Sequence, residues 1–334
     1  MSYSNFKDPI GLLKRMLLSG NKIAYFVLLR EFLAKVLVPL DFLLQNREKK
    51  IIKSAERKEN QPIILVLGGS RSGTTLLYQT LAYYLPVSYI SNFIAAFERS
   101  PIAAYKTFNR FIPKPKKKFK SYYGSVSGSG GPNDAFHLWN RWLGEDRNHI
   151  PAELDQHTKL DMQSFFNAWS GISKKPFLNK NNRNSLCSSD LYKSLNNIYF
   201  VEIYRNPIYV AQSLILSRRE VQGNHEIGWG LLSKDHKKNG DPLGYINDVC
   251  NQVNAVNQAI DKERKKIDPE RYFRVSFENF CENPSLTVRQ VSMMALGIDI
   301  NSENLDLLKF SKNPNKQRLT DVEFNRILHY FKNS

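Results

Sequence analysis

Residues 68–75 read GGSRSGTT, the spacing of a loop that binds phosphate. Gly68 and Gly73 stand where a Walker A loop, G-x-x-x-x-G-K-[ST], has its glycines, and Thr75 fills the hydroxyl position. Thr74 replaces the lysine that reaches the β- and γ-phosphates of a nucleoside triphosphate, and the strong cation of the loop is Arg71. Backbone N–H groups of a glycine-rich turn beside a helix N-terminus make an anion site. Gly69 and Gly73 are expected to take positive φ and let a ligand approach closely. Ser70, Ser72, Thr74 and Thr75 add hydroxyls, and Arg71 adds a fixed charge with a fork of donors. Such a set suits a phosphate-like group carrying less charge than a Mg²⁺-bound triphosphate. The best Walker B candidate, Glu202 in IYFVEI, falls inside its strand. Lacking both lysine and metal carboxylate, the loop points away from NTP hydrolysis and implies no metal. His149, Glu153 and His157 lie four apart, but Pro151 argues against one helix presenting them to a metal.

The surrounding segments have the elements such a loop needs. PIILVLGG is a short apolar run closed by glycines, as in a buried parallel strand, and TTLLYQTLAYYL has helical periodicity. NIYFVEIYRNP ends a second strand at Arg205, with Pro207 opening the helix IYVAQSLILSRR. RYFRVSF and PSLTVRQVSMMALG repeat the unit, and KPFLNKN is a further short strand. Strands alternating with helices predict an α/β fold with a central parallel sheet. The domain spans 62–334, with a glycine/serine-rich and lysine-rich insertion near 114–132, read as a flexible lid or docking loop. Residues 1–61 form a helical extension and charged connector. Within it, 10–45 is read as one or two amphipathic helices, either packed on the domain or lying on a membrane surface. Its apolar run is broken by Arg30, Glu31, Lys35, Asp41 and Pro39, a poor match to the about 20 uncharged residues of a membrane span.

GGSRSGTTLL resembles the 5′-phosphosulfate loop of sulfotransferases that use 3′-phosphoadenosine-5′-phosphosulfate (PAPS), the P-loop-like family that includes bacterial and carbohydrate-directed enzymes. IYRNPIYVAQSLILSRR is similar to their 3′-phosphate segment, with Arg205 after the strand and Ser213 following it. VSFENFCENPSLTVRQVSMMALGI resembles the late strand and helix, with Phe277-Glu278-Asn279 where the family often has Tyr-Glu-Asp. The resemblance covers Pro62 to about Ile300. It implies that residues 69–75 hold the 5′-phosphate and that Arg71 stabilises the leaving oxygen. Arg205 and Ser213 would grip the 3′-phosphate, which distinguishes PAPS from ATP. No metal is then required, since a sulfuryl group carries a single charge.

A hydroxyl acceptor, ahead of an amine, needs a general base within reach. Asp134 and His137, after the insertion, and Glu98 are the candidates; Asp134 is also placed to N-cap the helix AFHLWNRWL. Lys180 matches a lysine of the family that could assist the sulfuryl oxygens, or is an exposed surface lysine. Trp139, Trp142, Trp169 and Trp229 suit either a core or sugar stacking. The pattern is nearer to glycan-directed sulfotransferases, whose acceptor would be a carbohydrate, acidic or lipid-linked. Forty-eight Lys and Arg against 31 Asp and Glu, +17 formally, favour anionic partners. The competing classes are a P-loop kinase or NTPase and a non-catalytic basic protein at membranes or nucleic acid, though no nucleic-acid motif is present. Three scattered cysteines, no glycosylation acceptor and a polar Met1–Pro9 favour a cytoplasmic setting.

Overall fold

The apolar run before the glycine loop forms an interior strand of a parallel sheet. The computed structural model describes residues 6–55, 61–115, 117, 119–146, 150, 153–238, 240–300, 305, 309–310 and 314–333. Three helices come first: α1 (Pro9–Leu18), α2 (Lys22–Val36) and α3 (Val38–Ser54). β1 (Ile63–Leu67) and α4 (Thr74–Tyr84) flank the glycine loop. α5 (Pro101–Phe108), the hairpin β2 (Ser121–Tyr122) and β3 (Ser125–Val126), α6 (Phe136–Leu143) and α7 (Gln156–Ser173) lead to β4 (Phe177–Lys180). α8 (Ser188–Ser194), β5 (Ile198–Tyr204), α9 (Pro207–Ser217) and α10 (Gly244–Arg264) follow. The last elements are β6 (Tyr272–Ser276), α11 (Phe277–Glu282), α12 (Pro284–Leu296) and α13 (Asp321–Lys332).

The sheet order is β4-β1-β5-β6, all parallel. Side-chain alternation along β1 divides its residues between two layers. Ile63, Leu65 and Leu67 join Phe177, Phe200 and the aromatic cluster of α6 and α7 on one face. Ile64 and Val66 join Leu178, Val201 and the apolar sides of α4 and α12 on the other. Both faces are covered, which is why β1 is apolar throughout. A third cluster ties α9 to α10 and α13.

Local chemistry sets the helix ends. Pro207 begins α9 and the Asn206 side chain accepts the Ile208 N–H at 3.0 Å. α12 starts at Pro284 and stops at Gly297, whose φ is 65°. α9 continues into a wider π turn over Arg218–Gln222.

The extension is three helices rather than the one or two expected in 10–45. The third runs through the expected connector because Ile51 and Ile52 keep an apolar side against the core. α3 is anchored to α5 by two acids. Glu48 accepts the N–H groups of Ile102 (3.2 Å) and Ala103 (2.6 Å), and Asp41 accepts the Ser100 hydroxyl (2.6 Å) and the Arg99 N–H (3.1 Å). These bonds satisfy the opening turn of α5, which lacks a cap of its own. Burial pushes the Glu48 carboxyl up to about 7. α1 and α2 are different: their only buried side chains among the described residues are Met16 and Ala24. No helix among the described residues is long and apolar enough to cross a membrane.

Candidate active site

The polar residues of interest collect at the carboxyl ends of the parallel strands, where open α/β sheets bind their ligands. Gly68 follows β1, Lys180 ends β4, Arg205 follows β5 and Phe277 follows β6. Gly68, Arg71 and Gly73 take positive φ, at 144°, 70° and 104°. Gly69 does not, contrary to the sequence expectation. It lies against Val256, whose Cγ1 would be 3.3 Å from an added Cβ. A Cβ on Gly68 would come within 2.4 Å of the Ile203 carbonyl oxygen, and one on Gly73 within 2.4 Å of the Phe277 ring. Gly68 is fixed at both polar groups: its N–H donates to Ser185 Oγ at 2.9 Å and its carbonyl accepts from Asn182 Nδ2 at 2.9 Å. α4 has no side-chain cap, and Thr74 and Thr75 in its first turn line a cavity of about 260 Å³. Helix dipole and open N–H groups there favour an anion.

Arg71 Nε donates to Ser213 Oγ at 2.9 Å, joining residues 142 positions apart. Its guanidinium lies 5.4 Å from the Tyr123 ring centroid. Tyr123 and Gly124 form the tip of the β2–β3 hairpin, so segment 114–132 carries a turn placed beside the loop. Lys116 and Lys118 of its charge run lie outside the described residues, as do His149 and Pro151. Burial holds Arg71 below the ordinary arginine value; Tyr123 opposes this and Arg318 adds to it. Arg205 donates from Nε and Nη2 to Asn315 Oδ1 at 3.0 and 2.8 Å and stacks 4.6 Å from the Phe277 ring centroid. Burial lowers its pKa too, with Glu278 opposing and Arg71 and Arg318 adding.

Arg71, Arg205 and Arg318 are therefore one cationic cluster. Arg318 was not identified from sequence. It sits in an irregular segment positioned by Gln212 of α9, whose Oε1 accepts the N–H groups of Arg318 (2.6 Å) and Leu319 (3.2 Å). A narrow cleft beside the cluster is lined by Gly69, Ser70, Arg205, Leu231, Gln252 and Val256.

Asp134 does not cap α6. The helix begins at Phe136 after Ala135, which takes φ 51°, and no side chain caps it. The Ala135 N–H donates instead to Asn133 Oδ1 at 2.9 Å. Asp134 is thereby released into the cavity, where its Oδ2 accepts from Lys180 Nζ at 2.6 Å. Lys180 is not a surface lysine: its side chain is 3% exposed and that of Asp134 17%. The segment under the pair is fixed by polar contacts. Tyr78 Oη (3.2 Å) and Asn179 Nδ2 (3.1 Å) donate to the Asn133 carbonyl, and Asn181 Nδ2 donates to that of Asp134 at 3.3 Å. Asn92 accepts from Asn133 Nδ2 at 2.8 Å and from Arg30 of α2 at 3.2 Å, linking the extension to the site.

His137 is elsewhere. It pairs with Glu98 at 3.0 Å on the wall of a second, adjoining chamber, and neither lines the cavity holding Arg71 and Asp134. Glu202 is turned toward β6, accepting from Tyr272 Oη at 3.0 Å and Arg274 Nε at 3.1 Å. Of the four tryptophans, Trp139, Trp142 and Trp169 are in the core, whereas Trp229 lines the cavity. Among the described residues no group of three or more His, Cys, Asp or Glu side chains could hold a metal.

This arrangement offers an anion site between the loop and the arginines, and the Asp134 carboxylate stands at the same cavity. Comparison with known proteins gives the family and the fold. Residues 62–301 match the model of the Sulfotransferase family. Among solved structures the chain is similar to sulfotransferase STF1 from Mycobacterium tuberculosis H37Rv, at 12% identity, covering 100% of this chain and 93% of that one with a TM-score of 0.53. It is also similar to sulfotransferase STF9 from Mycobacterium avium, at 14% identity, 88% and 72% coverage and a TM-score of 0.51. At these identities the two structures speak to the fold. No curated protein matches the chain.

Proposed function

The chain belongs to the sulfotransferase family, and from that premise we propose that its donor is PAPS and its acceptor a hydroxyl presented to Asp134. The observation that carries this reading is the 2.9 Å bond between Arg71 of the glycine loop and Ser213 of α9. It brings the two donor motifs together in the fold, beside a cavity that also holds the Asp134–Lys180 pair. The donor set fits the co-substrate: glycines that exclude Cβ atoms, an uncapped helix N-terminus and three arginines. When bound, PAPS supplies the sulfuryl group, whose bond to the 5′-phosphate oxygen breaks as the acceptor oxygen bonds to sulfur.

The chain's own residues do the rest. Ser70, Ser72, Gly73, Thr74 and Thr75 hold the 5′-phosphate with Gly69 behind them, and Arg71 faces the charge that develops on the leaving oxygen. Arg205, Arg318 and Ser213 take the 3′-phosphate. Asp134 receives the acceptor proton, and Lys180 balances charge at the transfer point. His137 contributes no proton transfer in this reading, because it lines the neighbouring chamber with Glu98. Asn133, Asn182 and Trp229 around the cavity support a hydroxyl-rich head such as a sugar.

Residues 10–45 support peripheral contact with an anionic lipid surface. Ile10, Leu17, Leu18, Leu29, Phe32, Val36 and Leu43 are all more than half exposed, and exposed Lys14, Lys22 and Lys35 lie among them. Calorimetric titration with 3′-phosphoadenosine-5′-phosphate (PAP), beside ATP with Mg²⁺, tests the donor. Tight binding of PAP and little of ATP is expected. The reverse result would return the chain to the nucleotide-using class.

A further inference from the structure

Beside the transfer cavity lies a chamber of about 380 Å³, within the roughly 300–1,000 Å³ of small-molecule sites. Leu12 and Met16 of α1, Leu28 and Ala34 of α2, and Ala96 in the turn before α5 form much of its wall. Tyr123, Phe136 and Trp229 line both spaces, so the two adjoin across these side chains. Charged side chains on the chamber wall are paired with each other: Arg30 with Glu31 at 2.7 Å and His137 with Glu98 at 3.0 Å. The lining is mainly apolar, so hydrocarbon that displaces water from it is favoured. The helices that build it leave their other sides apolar and uncovered.

We infer that the chamber receives the apolar body of the acceptor, which is therefore an amphiphilic alcohol. Its hydroxyl-bearing head sits at Asp134 and its hydrocarbon tail runs between α1 and α2. The inference rests on the transfer site proposed above and names the substrate class of that site. α1 and α2 lie outside the segment that carries the family match, so this specificity is built by the extension. The uncovered outer sides of α1 and α2 suit an enzyme that takes such a molecule from a lipid surface.

The test compares methyl and octyl β-D-glucoside, which share a head and differ in tail. Both are titrated below the micellar concentration into the full chain, with and without saturating PAP. The octyl compound is expected to bind at least tenfold more tightly. Ala34→Trp and Ala96→Phe, which fill the chamber from two different elements, are each expected to cut that advantage to under threefold while leaving PAP affinity unchanged. Equal binding of the two glucosides to the unaltered protein overturns the inference. So does an octyl advantage that survives in both folded variants, because the tail would then bind on the outer helix faces. Failure of PAP to bind overturns the donor assignment alone, and the octyl advantage without PAP still decides the chamber.

Discussion

Replacing Asp134 by Asn removes the proposed proton acceptor while keeping its shape. The pair it breaks is 2.6 Å long and Lys180 is 3% exposed, so the lysine cannot recover water. At an effective dielectric constant of about 20 the gross attraction at this distance is roughly 6 kcal/mol. Much of that offsets desolvation, and removing one partner of a buried pair costs about 3–5 kcal/mol net. Asp134 retains some solvent access and asparagine can still accept from Lys180, which places Asp134→Asn near about 3 kcal/mol. For a chain of this length this lowers Tm by roughly 4 °C. The loss of rate is separate: a positioned base contributes about 10²–10⁴-fold. The assay is single-turnover transfer of ³⁵S from labelled PAPS to octyl β-D-glucoside, well below the variant's Tm. Single turnover keeps product release from hiding the chemical step. PAP affinity should stay within about threefold of the parent, as Asp134 contacts none of the arginine cluster. Asp134→Asn combined with Lys180→Met should recover stability, since an apolar replacement of a buried pair is often neutral, yet leave transfer slow. A single variant that transfers within tenfold of the parent refutes the base assignment. Restored transfer in the double variant would show that the aspartate matters only as the lysine's partner.

Arg205→Ala should weaken PAP by roughly 10–100-fold, the worth of a lost charged hydrogen bond, and should erase preference over the 3′-dephospho ligand in calorimetry. Arg71→Ala should leave PAP affinity within about tenfold but reduce transfer by 10²-fold or more, as for a lost oxyanion donor, measured by the same single-turnover assay. Gly73→Ala places a Cβ 2.4 Å from Phe277 at φ 104°, so thermal unfolding should show a loss of more than about 1 kcal/mol. Glu48 is buried with its carboxyl raised from 4.5 to about 7. The folded state therefore holds a proton that the unfolded state releases between these values, and stability falls as pH rises from about 4.5 to 7 by roughly 3 kcal/mol. Glu48→Gln should flatten that slope in denaturant unfolding at pH 5 and 8; an equal slope in both proteins would show that another group titrates.

Much of the fold could be read directly because its signals are local. The apolar run into Gly68 and the proline that starts α9 each act within a few residues. Arg205 and Ser213 were picked out by their resemblance to a family segment, and the fold places them just after β5 and within α9. Only the capping role expected of Asp134 fails, and it was expected because an acid just before an apolar helix is an ordinary cap. Here Asn133 binds the Ala135 N–H instead, and local rules do not decide between adjacent polar residues. Lys180 looked exposed because its partner Asp134 lies 46 positions away. Arg318 follows no periodic pattern and acquires its place through Gln212, more than 100 positions earlier. The chamber was illegible for a related reason: its wall joins residues from 6 to 229, and no one stretch encodes an empty space.

Arg15 carries a consequence for the order of events at the site. From α1 its Nε donates to the Glu220 carbonyl at 2.7 Å and its Nη2 to that of Val221 at 3.0 Å. Those carbonyls end the π turn that prolongs α9, the helix bearing Ser213. One wall of the acceptor chamber is thus fastened to an element of the donor cleft. If α1 shifts when a tail enters the chamber, these bonds give the shift a route to the helix of Ser213, and the converse holds for the donor. Affinities for the two ligands must then change each other by one and the same factor, because coupling free energy is reciprocal. The strength of such a link would be read from either ligand's affinity measured with and without the other.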